Sequence, residues 1–519
     1  MPSIRRLLFA MIFAALISSP AAAEDFDPVL HAKAYDYQDW LMQWHSTGLG
    51  AVSDILFTDE SRTEIERLWG GGDSTDWTAT YLVSQAMRYR ITGEAEARSE
   101  VIRIAHYLHI VHDITDDPGY LARIAAPDMP PWNQGEYQNC EHCYAGTGEY
   151  EGYFWQGAQS RDKYMHWFWA LTWAHTTVDD AEMRATIEED MVSVLQTLID
   201  NDWTIIDPFG DTYSASSVGP DLQLTFILQT AVVTGDPYWW NLLDTHYELV
   251  KGQLYLSAFA YFNKYFDYYA FINNQAIMQP IFSLWPDRER LQEIYDIWYK
   301  ASRQWTVHTH QAFFDAVEYG VCRRLGNCDS GEMTYMENDI AKGLSAMNEA
   351  PNYQRASTCP ELPLDPFSVW ADNLLTKLPF LRNLINIQPQ TAVAHEIEDR
   401  CWVSVLWERS PYHTECTQAD LPEHVTHGAD YLIAYWMGVY WGALPGDGPY
   451  GDDDFTDDPP ADDDDAVGDD DSDTLNDDIG DEPVDADDDD DDASAADDDE
   501  AADGGASDDD DDDDSGCGC

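Results

Sequence analysis

The stretch SRDKYMHWFWALTWAH, Ser160 to His175, is polar at one end and aromatic at the other. Read as a helix, it puts Asp162 and His166 four residues apart on one face, while Tyr164 points away from both. Arg161 and Asp162 fall where a helix start leaves backbone N–H groups unpaired. A carboxylate and an imidazole on one face are expected to address one bound ligand by acid–base chemistry. The same residues also suit an N-cap followed by a core histidine. In GGGDSTDW, three glycines precede Asp73 and Asp76, and glycines let backbone approach a ligand closely. Glycoside hydrolysis needs two carboxyl groups flanking the scissile bond. Asp76 and Asp162 are the leading catalytic pair, with Asp73, Arg161, Tyr164 and His166 expected at the substrate. Asp207 and Asp211 in DPFGDTY are held in reserve, in a stretch that also reads as a loop turn.

Arginines offer a second chemistry. Arg123 in PGYLAR, Arg161 and Arg409 in WERSPYH could bind a carboxylate bidentately. With Tyr164 or His310 as base, that is the outline of a uronate lyase or epimerase. Sugar rings also present apolar faces that pack on aromatic rings, and the chain has 20 Trp and 29 Tyr. The loop Pro118 to Gln159 holds Trp132, Tyr137, Tyr144, Tyr150, Tyr153 and Trp155, which are harder to bury together than the helical aromatics. It is expected as a substrate-facing wall, with Trp132 and Trp155 as contacts, or as a flap closed by Cys140 and Cys143.

The elements that must position these residues are helical hairpins. DWTATYLVSQAMRYRITG precedes EAEARSEVIRIAHYLHIVHDI, and RDKYMHWFWALTWAHTTV precedes DDAEMRATIEEDMVSVLQTLID. PDLQLTFILQTAVVTG precedes DPYWWNLLDTHYELVKGQL, and YYAFINNQAIMQPIFSLW precedes PDRERLQEIYDIWYKASRQW. In each pair an apolar helix is followed by a one-faced, more charged helix, so the first is expected inside and the second outside. A fifth inner segment is expected at WTVHTHQAFFDAVEYG. The last helix, ADYLIAYWMGVYWG, is expected as inner partner of the N-terminal AYDYQDWLMQWH, which would close a ring. Inner helices begin at one rim, where Asp73, Asp76, Asp162, Asp221, Asn273, Asn274, His308 and His310 recur.

With GGGDSTDWTATYLVSQAMRYRITG, PGYLAR, SRDKYMHWFWAL and TGDP in view, the chain resembles the six-hairpin glycosidase-like superfamily, over roughly residues 30 to 442. It is similar to uncharacterised exported bacterial members sharing the SRD-type motif and the terminal WERSPYH…ADYLIAYWMGVYWG. The resemblance implies an all-α (α/α)6 toroid and a carbohydrate substrate. Hydrolases, lyases and proteins with no assigned activity all occur in that superfamily, so a glycoside hydrolase is the leading expectation, with a uronate lyase or epimerase, or a non-catalytic surface glycan-binding protein, as the alternatives.

The two ends differ from this middle. Arg5 and Arg6, the run LLFAMIFAALI and Ala21–Ala23 predict a secretory signal peptide over residues 1–23, so the toroid is expected over 24–445 and in a secreted or cell-surface protein. Residues 446–519 hold 37 Asp and Glu and no Lys or Arg, which predicts a disordered acidic tail, with cation binding as its possible role. The tail resembles the Asp-rich sorting tails of some Gram-negative surface proteins, without the apolar helix and basic residues that usually follow. Of 98 acidic residues, 61 (98 less 37) then face 27 basic ones in the rest of the chain. That balance repels nucleic acid and anionic membranes. Nine Cys in an exported chain suggest disulfides, with Cys322 and Cys328 closing a small loop and Cys140 and Cys143 bridging or helping bind a metal. No cofactor, no metal site and no membrane span in the mature chain are expected.

Overall fold

The computed structural model describes residues 26–134, 137, 140–213, 215–254, 265, 268–353, 361–382, 387–400, 410–412, 423–446 and 449. The expected signal segment, the acidic tail from Asp447 apart from Pro449, Arg409, Cys359, Cys401 and Cys416 lie outside these residues. Among the described residues there are fourteen α-helices and seven short strands. None of these helices is long and apolar enough to cross a membrane.

Six helices are buried nearly all round: α2 (Ser74–Thr92), α4 (Arg161–Thr177), α6 (Pro220–Thr234), α8 (Tyr269–Leu284), α10 (Ala312–Leu325) and α14 (Ala429–Tyr440). In α4 every residue from Lys163 to Ala174 is buried. The helix that follows, α5 (Ala181–Asp200), buries Met183, Ile187, Met191, Val194, Leu195 and Leu198, one stripe at helical spacing. This contrast of full and one-sided burial is what the residue pattern predicts.

The six buried helices pack in succession: α2 on α4, α4 on α6, α6 on α8, α8 on α10, α10 on α14, and α14 back on α2. Their one-sided mates are α3 (Ala95–Asp113), α5, α7 (Pro237–Leu254), α9 (Arg288–Ala301) and α11 (Ser330–Ala346), each packed on the buried helix before it. Helix α1 (Pro28–Trp40) packs on α14, the pairing of first with last expected from the sequence. Side chains of the buried helices meet one another across the interior. Trp169 and Trp173 of α4 both donate through Nε1 to Oε1 of Gln279 in α8, at 2.7 and 3.2 Å. Each indole is thereby buried without an orphaned donor, at a gain of about 1.5–3 kcal/mol per fully buried large side chain.

The fifth inner helix starts later than the stretch from Trp305 suggests. His310 takes a left-handed backbone conformation (φ 56°), which ends the preceding turn, and α10 begins at Ala312. Two further helices, α12 (Pro366–Lys377) and α13 (Pro379–Arg382), complete the set.

Strands are few but sit where the inner helices begin. β1 (Asp54–Phe57), β2 (Ile65–Trp69), β6 (Asn352–Tyr353) and β7 (His424–Thr426) form an antiparallel sheet in the order β2-β1-β7-β6. Chain leaving β2 enters α2 through Gly70–Asp73, and chain leaving β7 enters α14. Gly70 has φ 64°, and a Cβ there would lie 2.8 Å from the Trp77 ring, so glycine alone fits this entry. The segment expected as an aromatic loop holds the second sheet, β3 (Ile124–Pro127), β4 (Cys143–Ala145) and β5 (Tyr153–Gln156), in the order β3-β5-β4. It leads directly into α4. Disulfides join Cys140 to Cys143 and Cys322 to Cys328.

Candidate functional site

The starts of α2 and α4 are fastened to the same short strand segment. Thr75 donates its N–H and its hydroxyl to the carbonyl of Arg123, at 3.1 and 2.7 Å. Arg123 in turn donates its N–H to the Gln156 carbonyl (2.8 Å) and its Nε–H to the Ala158 carbonyl (2.9 Å), just ahead of α4. Gly72 lies under this guanidinium: a Cβ there would come within 3.0 Å of Nη1. The glycine that the sequence assigns to close ligand approach accommodates an arginine of the chain itself.

Between the two helix starts lies Lys163. Its Nζ donates to Asp73 Oδ1 at 2.7 Å, Asp76 Oδ2 at 2.7 Å and Asp162 Oδ2 at 2.8 Å, matching three protons with three carboxylates. Lys163 and Asp76 are 1% and 0% exposed, Asp162 18% and Asp73 44%. The cluster thus has a buried floor, Lys163 and Asp76, and a rim that meets solvent, Asp162 and Asp73. His166 lies one turn deeper. Its Nδ1 is 3.0 Å from the Asp162 carbonyl and 3.4 Å from Asp76 Oδ1.

Electrostatics divides the carboxyl groups. Burial acts to raise the Asp162 carboxyl, but the Lys163 charge and hydrogen bonds from Lys163 and Ser160 outweigh it and hold it well below the usual range. Burial likewise disfavours the Lys163 ammonium, and Asp162, Asp73 and Asp76 together more than compensate, so it stays protonated beyond the ordinary lysine range. Asp221, in the first turn of α6, is shifted the other way. Burial dominates over its backbone hydrogen bonds and the nearby Arg161, and holds this carboxyl above its ordinary value. Asp162 and Asp221, at the starts of successive buried helices, are thus shifted in opposite directions.

Asp73, Asp76 and Asp162 present oxygens within 4.8 Å of one another, a spacing that suits a cation. The cation in contact with all three is the Lys163 ammonium.

The structure brings together Asp73, Asp76, Asp162, His166 and Arg123 of the residues singled out by sequence. Arg161 is exposed beside them, its N–H bonded to the Ala215 carbonyl and its Nη1 to the Ser217 carbonyl. Three further residues expected at the substrate are engaged elsewhere. Tyr164 is fully buried and donates its hydroxyl to the Gly119 carbonyl at 2.8 Å, because its position points it away from the rim into the interior. Trp155 is 5% exposed, packed beneath Tyr144 by the strand pairing that places the two opposite each other. His310 belongs to a different cluster, with Nδ1 2.7 Å from Asp339 Oδ1 and Nε2 3.9 Å from Glu396. Trp132 is half-buried in the turn after β3, its N–H bonded to the Met129 carbonyl. Asp207 is a turn organiser: its Oδ1 accepts from the N–H groups of Phe209 and Asp211. Lys163 escaped sequence reasoning, although the signal is present. A lysine within a helix apolar on all sides must be buried, and a buried lysine requires carboxylate partners.

Compared with known proteins, the chain matches no protein-family model and no curated protein.

Proposed function

We propose that the chain is an exported (α/α)6 toroid, as its likeness to six-hairpin glycosidases implies, and that it hydrolyses a glycosidic bond at the Asp162 rim. The succession of six buried helices, with the last packed on the first and a one-sided mate beside each, supports the architecture. The two disulfides are compatible with a location outside the cytoplasm. The observation that carries the reaction is the division of carboxyl groups at the starts of adjacent inner helices. Asp162 is held ionised by Lys163 and is partly exposed; Asp221 is biased toward protonation.

In this reading Asp162 is the base or nucleophile and Asp221 donates the proton to the leaving oxygen. Asp76, which sequence alone pairs with Asp162, has no exposed surface and serves beneath it with Lys163 and His166. Asp73 accepts from sugar hydroxyls, and Arg123 and Arg161 donate to them.

The test is product release by the full chain from a panel of polysaccharides, following reducing ends and unsaturated-uronate absorbance together. Reducing ends alone, lost in Asp162→Asn, are expected. Unsaturated products would replace the reading with a lyase, and unchanged turnover in a folded Asp162→Asn would remove its centre.

A further inference from the structure

Two loops that flank the start of α4 build an aromatic shelf beside the rim. Register across β4 and β5 sets Tyr144 opposite Trp155, with ring centroids 4.6 Å apart. From the other side the loop after α5 brings Phe209 against Tyr144 at 4.9 Å, the planes tilted by 36°. The three rings form a stair: Trp155 buried as the floor, Tyr144 half-buried, and Phe209 60% exposed at the edge. Gly157 permits the stair, since a Cβ there would come within 3.2 Å of the Tyr144 ring.

Exposure of Phe209 is built in. Asp207 Oδ1 accepts from the N–H of Phe209 at 2.9 Å and of Asp211 at 2.7 Å, and the Asp207 N–H donates to the Asp211 carbonyl at 2.9 Å. The Tyr213 hydroxyl donates to Asp207 Oδ2 at 3.1 Å and lies 3.3 Å from His142 Nδ1, which ties this loop to the hairpin. The disulfide Cys140–Cys143 brackets His142 on its side. These bonds hold a large apolar ring mostly in water, where it contributes less to the fold than a buried ring would.

Continuity with the site is direct. Ala158, just past β5, takes the Arg123 Nε–H, and Ala215 and Ser217, just past Tyr213, take the bonds from Arg161. The shelf is acidic at its edges: Asp207, Asp211 and Glu141 all act on the Tyr144 hydroxyl, after burial, to raise it. Flat apolar rings bordered by hydrogen-bond acceptors suit the C–H face and hydroxyl edge of a pyranose. The surrounding carboxylates repel an anionic one.

We propose that Tyr144 and Phe209 form a subsite for a neutral pyranose unit of an extended polysaccharide whose neighbouring unit lies at Asp162. This rests on the carbohydrate reading of the Asp162 rim.

The experiment is affinity electrophoresis of the full chain in gels containing β-glucan, xylan, mannan, polygalacturonate or alginate. It is run for the parent, Phe209→Ala, Phe209→Trp and Tyr144→Ala/Phe209→Ala, with thermal melting of each. Retardation by a neutral polymer is expected, about tenfold weaker in the double variant at an unchanged melting temperature and retained in Phe209→Trp. Should the double variant melt early, Phe209→Ala alone decides, because that ring is the more exposed of the two. Equal retardation of parent and Phe209→Ala, or retardation by the polyuronates alone, overturns the subsite. If polysaccharide is still cleaved in an Asp162-dependent way in that case, the reading of the rim survives and only the subsite falls. Absence of both binding and cleavage across the panel removes both.

Discussion

Lys163 Nζ lies 2.7 Å from Asp76 Oδ2, with the two side chains 1% and 0% exposed. The pair joins α4 to α2 across 87 residues of sequence. Two charges taken this far out of water persist only if each satisfies the other, and the remaining protons of the ammonium are taken by Asp73 and Asp162.

Removing the ammonium alone should therefore destabilise strongly. Lys163→Met leaves buried Asp76 uncompensated, and a loss of about 3–5 kcal/mol is expected. Adding Asp76→Asn should restore part of it, since the orphaned charge is gone. Urea unfolding monitored by tryptophan fluorescence measures both, and a parent-like midpoint for Lys163→Met would refute the structural role.

The two shifted carboxyl groups predict the pH profile of turnover. Asp162 sits below the usual carboxylate range, so kcat/KM should hold until well below pH 4. Asp221 sits above its ordinary value, and its deprotonation should set the fall on the alkaline side. Asp221→Asn is expected to lose that limb together with about 10²–10⁴-fold of rate. An alkaline limb unchanged in Asp221→Asn would assign the proton donor elsewhere.

Stability in acid should depend on His45. It is fully buried, its Nδ1 bonds the Ser53 carbonyl at 2.8 Å, and Asp54, His424 and His427 face it. Burial lowers its pKa from 6.5 to about 4 against the opposing pull of Asp54. A histidine lowered on folding contributes fully above its unfolded pKa, so stability should fall as pH drops from 6.5 toward 4 and level off below. The loss is on the order of 3 kcal/mol. In His45→Asn, which can still donate to Ser53, unfolding midpoints should be flatter across this window. An equal slope would move the effect to the neighbouring histidines.

The Lys163 cluster adds two limits outside that window. Asp162, lowered on folding, contributes stability above its unfolded pKa near 4 that is lost as pH falls further. Lys163, raised on folding, contributes below its unfolded pKa near 10.4 and is lost as pH climbs above it. In Lys163→Met the fall of urea midpoints above pH 10.5 should be shallower than in the parent, the buried tyrosines, also raised on folding, supplying the rest. An equally steep fall would assign the whole limb to those tyrosines.

Much of the helical frame was legible in the residues. The twelve consecutive buried positions of α4 and the single stripe of α5 follow from local apolar spacing, because a helix turns every 3.6 residues whatever its partners. The small sheets were not legible: β3, β4 and β5 are three or four residues each, too short for alternation to show. The polar starts of α2 and α4 were visible as types, so Asp73, Asp76 and Asp162 stand among the expected residues. Their division of labour was not visible.

By itself, the sequence determined which helices are buried all round and which keep a wet face, since burial pattern is written in neighbouring residues. Only the tertiary structure decided that Lys163 binds three carboxylates, one of them 90 residues away, and that Phe209 lies on Tyr144. Charge pairing and ring contact act over a few ångströms in space, and the chain carries no local mark of which distant residues folding brings that close.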